Sequence, residues 1–183
     1  MKKFVWIDCE TSGLNPETNQ LLEVSVVITD SNLNELDHMT RLIKNPKINI
    51  DEFCYNLHTK NGLLKDIEFR GMSLDDAQQD IFWFLSQNLE NATSPMCGST
   101  IQFDRKFLDK YMPKLGKFFH YRNLDVSSIK ILWSEFLGNA HFPKGEAHRG
   151  LPDIRESIDH FKQIKKKIEE KQNLKRNPNP FPG

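Results

Sequence analysis

The stretch Lys2-Lys3-Phe4-Val5-Trp6-Ile7-Asp8-Cys9-Glu10-Thr11-Ser12-Gly13-Leu14 decides how the chain folds. Phe4 to Ile7 is an apolar run, aromatic and β-branched, of the kind that forms a strand buried on both faces. Side chains alternate along a strand, so Asp8 and Glu10 share a face at its downstream end. Gly13, Asn15 and Pro16 then break the strand into a loop. Two carboxylates side by side on a buried strand are costly, because each resists desolvation and each raises the other's pKa. No Lys or Arg occurs between residues 4 and 40 to offset them. A divalent cation between them would, since hard cations prefer carboxylate oxygen. In the plainer alternative one acid caps a turn and the other is solvated. D-x-E alone is too short a pattern to choose.

Composition narrows the class. At 183 residues, with 38% hydrophobic and 27% charged residues, the chain suits one soluble globular domain with a sizeable core. No apolar stretch approaches the length of a membrane span, so no membrane role is expected. The first residues enter a strand at once, which leaves no room for a leader peptide. Cys9, Cys54 and Cys97 are scattered and odd in number, which fits a reducing compartment and neither a disulfide frame nor a zinc site. Net charge is zero, which argues against gripping a long nucleic acid through many phosphates. A ligand with few phosphates fits better.

Outward from the first strand, residues 21–29 (LLEVSVVIT) and 38–44 read as two more strands, joined by a turn at Asp30-Ser31-Asn32. Residues 45–72 are less regular, with a short helix around Phe53 to His58. Ser73, with Asp76 three residues on, reads as an N-cap, and Ala77, Ile81, Phe84, Leu85 and Leu89 recur at helical spacing. Residues 96–99 form a short strand, Phe103 to Tyr111 a helix stopped by Pro113, residues 121–126 a strand, and Ile129 to Phe136 a helix. A polar loop follows at 138–147. Pro152 suits the first turn of the last helix, whose apolar face is Ile154, Ile158, Phe161, Ile164 and Ile168. The expected fold is α/β, a mixed sheet flanked by helices. Residues 1–170 form the domain; 171–183 are the charged end of a helix and a Pro-rich tail of disordered composition. Lys165, Lys166 and Lys167 are most simply a solvated face.

Three later residues complete a set. Asp104 opens a helix just after a strand. Asp153 sits in the first turn of the last helix, where the helix dipole keeps a carboxylate ionised. His148 precedes it by five residues, about 140° away on a helix, so it belongs on the loop before it. Taken singly, the acids read as helix-start residues and the histidine as a solvated one.

Asp8-x-Glu10 with Ser12-Gly13-Leu14, then Asp104, then His148-x4-Asp153, resembles the signature of DEDDh 3′→5′ exonucleases. Among these the chain is similar to the oligoribonucleases over almost its full length. The resemblance runs through Ile28-Thr29-Asp30, His58-Thr59, Cys97-Gly98, Asp104-Arg105-Lys106-Phe107-Leu108, Lys110-Tyr111-Met112-Pro113, His120-Tyr121-Arg122, Leu124-Asp125-Val126-Ser127 and Asp153-Ile154-Arg155-Glu156-Ser157. It implies a ribonuclease H-like fold and hydrolysis of very short RNA from the 3′ end.

Asp8, Glu10, Asp104 and Asp153 are then the ligands of two divalent cations, Mg²⁺ or Mn²⁺, that serve the attacking and leaving oxygens together. His148 is the general base that takes the proton of the attacking water. Leu14 matches a leucine wedged between two bases, and Phe53 stands where the family commonly has a stacking tryptophan. His58, Thr100, Arg122 and Ser127 join the substrate set, the last three around a 5′ phosphate, with Tyr121 lent by the second subunit of a homodimer. Their ordinary readings are a loop anchor for Leu14, a strand end for Tyr121 and Arg122, and helix caps for Thr100 and Ser127. Two positions depart from the family: Pro152 replaces an acid and Gly150 an alanine. A cytoplasmic location is expected, with a mitochondrial form left open. A general RNA-trimming or DNA-proofreading exonuclease and a non-catalytic nucleic-acid-binding module are the alternatives.

Overall fold

The computed structural model describes residues 2–136, 138, 142, 143, 145 and 148–176. Its strands are β1 (Phe4–Thr11), β2 (Leu21–Thr29), β3 (Glu35–Leu42), β4 (Met96–Gly98) and β5 (Asn123–Asp125). Among the described residues they form one sheet in the order β3-β2-β1-β4-β5. β1 runs antiparallel to β2 and parallel to β4, so the sheet is mixed, as expected. The first strand of the sequence is thus the central one. The helices are α1 (Glu52–Lys60), α2 (Leu63–Arg70), α3 (Leu74–Asn88), α4 (Gln102–Tyr111), α5 (Pro113–Phe118), α6 (Val126–Phe136) and α7 (Gly150–Arg176).

Alternation along β1 assigns its side chains to two layers. Val5, Ile7 and Cys9 enter the larger core with Ile81 and Leu85 of α3, Phe107 and Leu108 of α4 and Leu115 of α5. Cys9 therefore packs, as its position between the two acids suggested. Trp6 faces the other way and is covered by Ile154 and Ile158 of α7, with Phe161 at 5.8 Å from its ring. Asp8 and Glu10 follow Trp6 on that same face. β2 is buried along its whole length, Glu23, Ser25 and Thr29 included.

The structure differs from the reading of the sequence in places. β3 spans 35–42 rather than 38–44, because Asp30 Oδ1 accepts from the backbone N–H groups of Asn32 and Asn34 and closes a tight turn. Residues 45–72 hold two helices rather than one, separated at Gly62, whose φ of 80° only glycine adopts without strain. Pro113 ends α4 but also opens α5, where its missing N–H costs nothing at a first helical position. Ser73 caps α3 as expected, accepting from Asp76 N at 3.1 Å. The tail at 177–183 and most of 138–147 lie outside the described residues.

Candidate active site

Oxygen atoms of Asp8, Glu10 and Asp153 all lie within 4.8 Å of one another. Two come from one strand face and the third from the first turn of α7, which packs over that face. Asp104, in the first turn of α4 and 4% exposed, closes the other side. Its Oδ1 accepts from Cys9 N at 2.8 Å, which ties α4 to β1 between the two acids. These four carboxylates share one cleft with His148, Leu14, Thr100 and Phe103. The sequence-predicted acids and histidine are brought together from three separate segments, β1, the start of α4 and the stretch that enters α7.

Burial and crowding set the electrostatics of the cleft. Burial pushes the Asp8 carboxyl well above the usual carboxylate range, and Asp104, Glu10 and Asp153 add to it. Glu10 is pushed up to about 8, first by burial and then by Glu23, Asp153 and Asp104, while Arg149 works the other way. Asp104 is pushed up to about 7 by burial, against the Cys9 N–H that favours its charged form. A set of oxygen donors this close, on carboxyls that burial and mutual repulsion push up, fits a hard divalent cation. Three carboxylates without one repel each other.

The substrate set falls into groups. Leu14 is 80% exposed at the cleft, in the loop after β1. Ser12 Oγ donates to Asn49 O and Asp51 N donates to Ser12 O, so this loop is fastened to the start of α1, where Phe53 stands exposed. His58 lies deeper, 1% exposed, with Nε2 3.0 Å from Thr11 O. Thr100 and Ser127 meet, hydroxyl to hydroxyl, at 3.1 Å. Arg122 and Tyr121 do not line the carboxylate cleft. The guanidinium stacks on the Tyr121 ring at 5.3 Å, and Tyr121 is 75% exposed.

A family model described as exonuclease matches residues 5–161. The oligoribonuclease of Chromobacterium violaceum is 38% identical over 165 residues, covering 86% of this chain and 91% of that protein. That of Vibrio campbellii is 37% identical over 174 residues, covering 91% and 96%. The chain belongs to the oligoribonuclease family. As an oligoribonuclease it is a 3′→5′ exoribonuclease. E. coli exonuclease I, in a zinc-bound complex with single-stranded DNA, superimposes with a TM-score of 0.72 at 15% identity, over 91% of this chain and 41% of that one. A second complex of that protein, with an oligonucleotide, gives 0.74 at 14% identity over 98% and 44%. The oligoribonuclease chain spans about two fifths of exonuclease I, and the likeness shows the ribonuclease H-like fold.

Two contributors escaped the reading of the sequence. Asp125 Oδ1 accepts from both Thr100 N and Ser127 N, so one carboxylate holds the hydroxyl pair in place and supports Thr100 at its φ of 55°. Its place one residue before a helix was a signal for a cap, which prefers Asp. Arg149 is a cation that acts on Glu10. It follows His148 directly, yet nothing local shows that it pairs with Glu23, 126 residues away.

Proposed function

We propose that this oligoribonuclease hydrolyses very short RNA, dinucleotides above all, to 5′ mononucleotides. The observation that carries the reading is the convergence of Asp8, Glu10, Asp153 and Asp104 with His148 in one cleft. The four carboxylates hold two divalent cations, Mg²⁺ or Mn²⁺. When bound, such cations neutralise charge on the phosphate and on the departing oxygen. His148 stands at the mouth of the cleft and takes the proton of the attacking water.

Leu14 and Phe53, exposed on two segments fastened together, offer apolar surfaces for two bases. Thr100 and Ser127 offer paired hydroxyls to a terminal 5′ phosphate, and Arg122 offers a fork that matches its oxygens. His58, buried, serves by holding the Thr11 carbonyl at the end of β1. Tyr121 acts in the site of a second copy, in a homodimer. Ile131, Leu132 and Phe136 of α6, all more than half exposed, support a second copy as what covers this apolar surface. No helix among the described residues is long and apolar enough to cross a membrane. Cys9, Cys54 and Cys97 are free thiols, which supports a reducing compartment, the cytoplasm, as the enzyme's location.

The test compares kcat/KM for 5′-phosphorylated RNA of two and about seven nucleotides, with Mg²⁺ or Mn²⁺ present. Preference for the dinucleotide is expected. Equal turnover of both lengths makes the protein a general RNA-trimming exonuclease.

A further inference from the structure

We infer that Arg149, Glu23 and Asn61 are positioning residues that hold His148 at the cleft, an inference that rests on His148 being the general base. His148 has a φ of 44°, the left-handed region that residues with a Cβ seldom adopt. Such a conformation persists only where surrounding contacts impose it. Here they come from three elements. Asn61, which caps the end of α1, donates Nδ2 to the His148 carbonyl at 2.7 Å. The next residue, Arg149, spreads its guanidinium over two carboxylates: Nε and Nη2 reach Glu23 Oε2 at 3.1 and 3.0 Å, and Nη1 reaches Asp66 Oδ2 of α2 at 3.0 Å. The residue after that, Gly150, donates its backbone N–H to Glu23 Oε1 at 2.8 Å.

Three successive residues are therefore tied to β2, α1 and α2 at once. Glu23 is 1% exposed, and both of its oxygens are committed to this segment. A buried carboxylate with its oxygens so used carries a large penalty if the segment lifts away, so the tie is close to all-or-none. The planar fork of arginine makes it specific. A lysine could meet Glu23 or Asp66 but would not bridge them in one geometry. The two features that need explaining, the left-handed turn at His148 and a buried charge on β2, are answered by the same clamp. A general base displaced by about 1 Å from a reacting water loses much of its effect, which is why clamping it serves the reaction.

The experiment is a double-mutant cycle. Arg149→Ala and, separately, Asn61→Ala are made in the wild type and in His148→Ala, with Asn61→Ala guarding against misfolding of the charge variant. In the wild-type background each lowers kcat by roughly ten-fold to a hundred-fold with KM within about two-fold, and Asn61→Ala, which alters no charge beside Glu10, also leaves cation affinity within about two-fold. In the His148→Ala background neither lowers it further. Hydrogen exchange of the metal-free proteins reads the clamp without catalysis: the Gly150 amide exchanges faster in Arg149→Ala, while amides of β1 and β2 stay protected. Losses that multiply in the two backgrounds, or a Gly150 amide as protected as in the wild type, overturn the clamp and leave the general base standing. Wild-type rates in His148→Ala alone overturn the general-base reading, and the positioning role with it.

Discussion

Glu10 and Glu23 stand directly opposite each other on the antiparallel pair β1 and β2, on the face that α7 covers. Like charges in that relationship are destabilising. Arg149, paired with Glu23 at 3.0 Å, offsets one of them. Glu10 is left with Asp8 and Asp153, and the oxygen cluster it forms with them is the candidate metal site. The ladder register thus separates a carboxylate used for structure from one kept for chemistry.

Removing the cation should make stability fall as pH rises. Glu10, ordinarily at 4.5, is pushed up to about 8, and Asp104, ordinarily at 3.8, to about 7. Between the ordinary and raised values the folded state binds more protons than the unfolded one, so ΔG of unfolding decreases with pH across that window. The stabilisation is complete below about pH 4 and gone above about pH 8. Thermal melts in chelator across that range should show the decline, and saturating Mg²⁺ should flatten it. Asp8→Asn, with one repelling charge fewer, should melt higher than the wild type in chelator near pH 8, yet bind cation weakly and hydrolyse nothing. Near-normal hydrolysis by Asp8→Asn would sink the cation site.

His148→Ala is expected to lower kcat by about 10²–10⁴ and to leave cation affinity nearly unchanged. Isothermal titration with Mn²⁺ separates the two effects. A variant that loses cation affinity in proportion to rate would make His148 a ligand and not the base.

Arg122→Ala tests the length selection. Loss of a charge-assisted contact to a terminal phosphate, typically ~1.5–3 kcal/mol, should lower kcat/KM on a 5′-phosphorylated dinucleotide by tens-fold or more. Strands of about seven nucleotides should lose much less. Tyr121→Ala should behave alike, and mixing it with an Asp8→Asn subunit should restore activity if the tyrosine acts across a dimer. Equal losses on both lengths would reduce Arg122 to a general phosphate contact.

Gly150→Ala should destabilise the protein by about 1–3 kcal/mol in urea denaturation. A Cβ at 150 would collide with Ser25 Oγ and Cβ and stand 3.1 Å from Glu23 Oε1. This is the physical reason that glycine suits this position. A neutral result would mean that Ser25 and α7 shift apart freely.

What the sequence determined by itself was periodic or local. The two-residue repeat of β1 put Asp8 and Glu10 on one face and Cys9 in the core, and the 3.6-residue repeat gave α7 its apolar face of Ile154 and Ile158. Those periods state which way a side chain points relative to its neighbours in the chain. They do not state what stands opposite. The scarcity of cations near the first strand was legible from residues 4 to 40; that Arg149 supplies one was decided by folding. The same holds for Asp104 on Cys9 N, 95 residues apart, and for Asp125 on Thr100 N, 25 apart. Helix boundaries failed for a related reason, since Pro113 read as a stop and Gly62 lay in a stretch that read as irregular, yet each stands where one helix ends and another begins. Sheet register and the packing of α7 over β1 and β2 set these meetings, because only they bring distant backbone into one low-dielectric cleft where a hydrogen bond or a charge pair can decide the outcome.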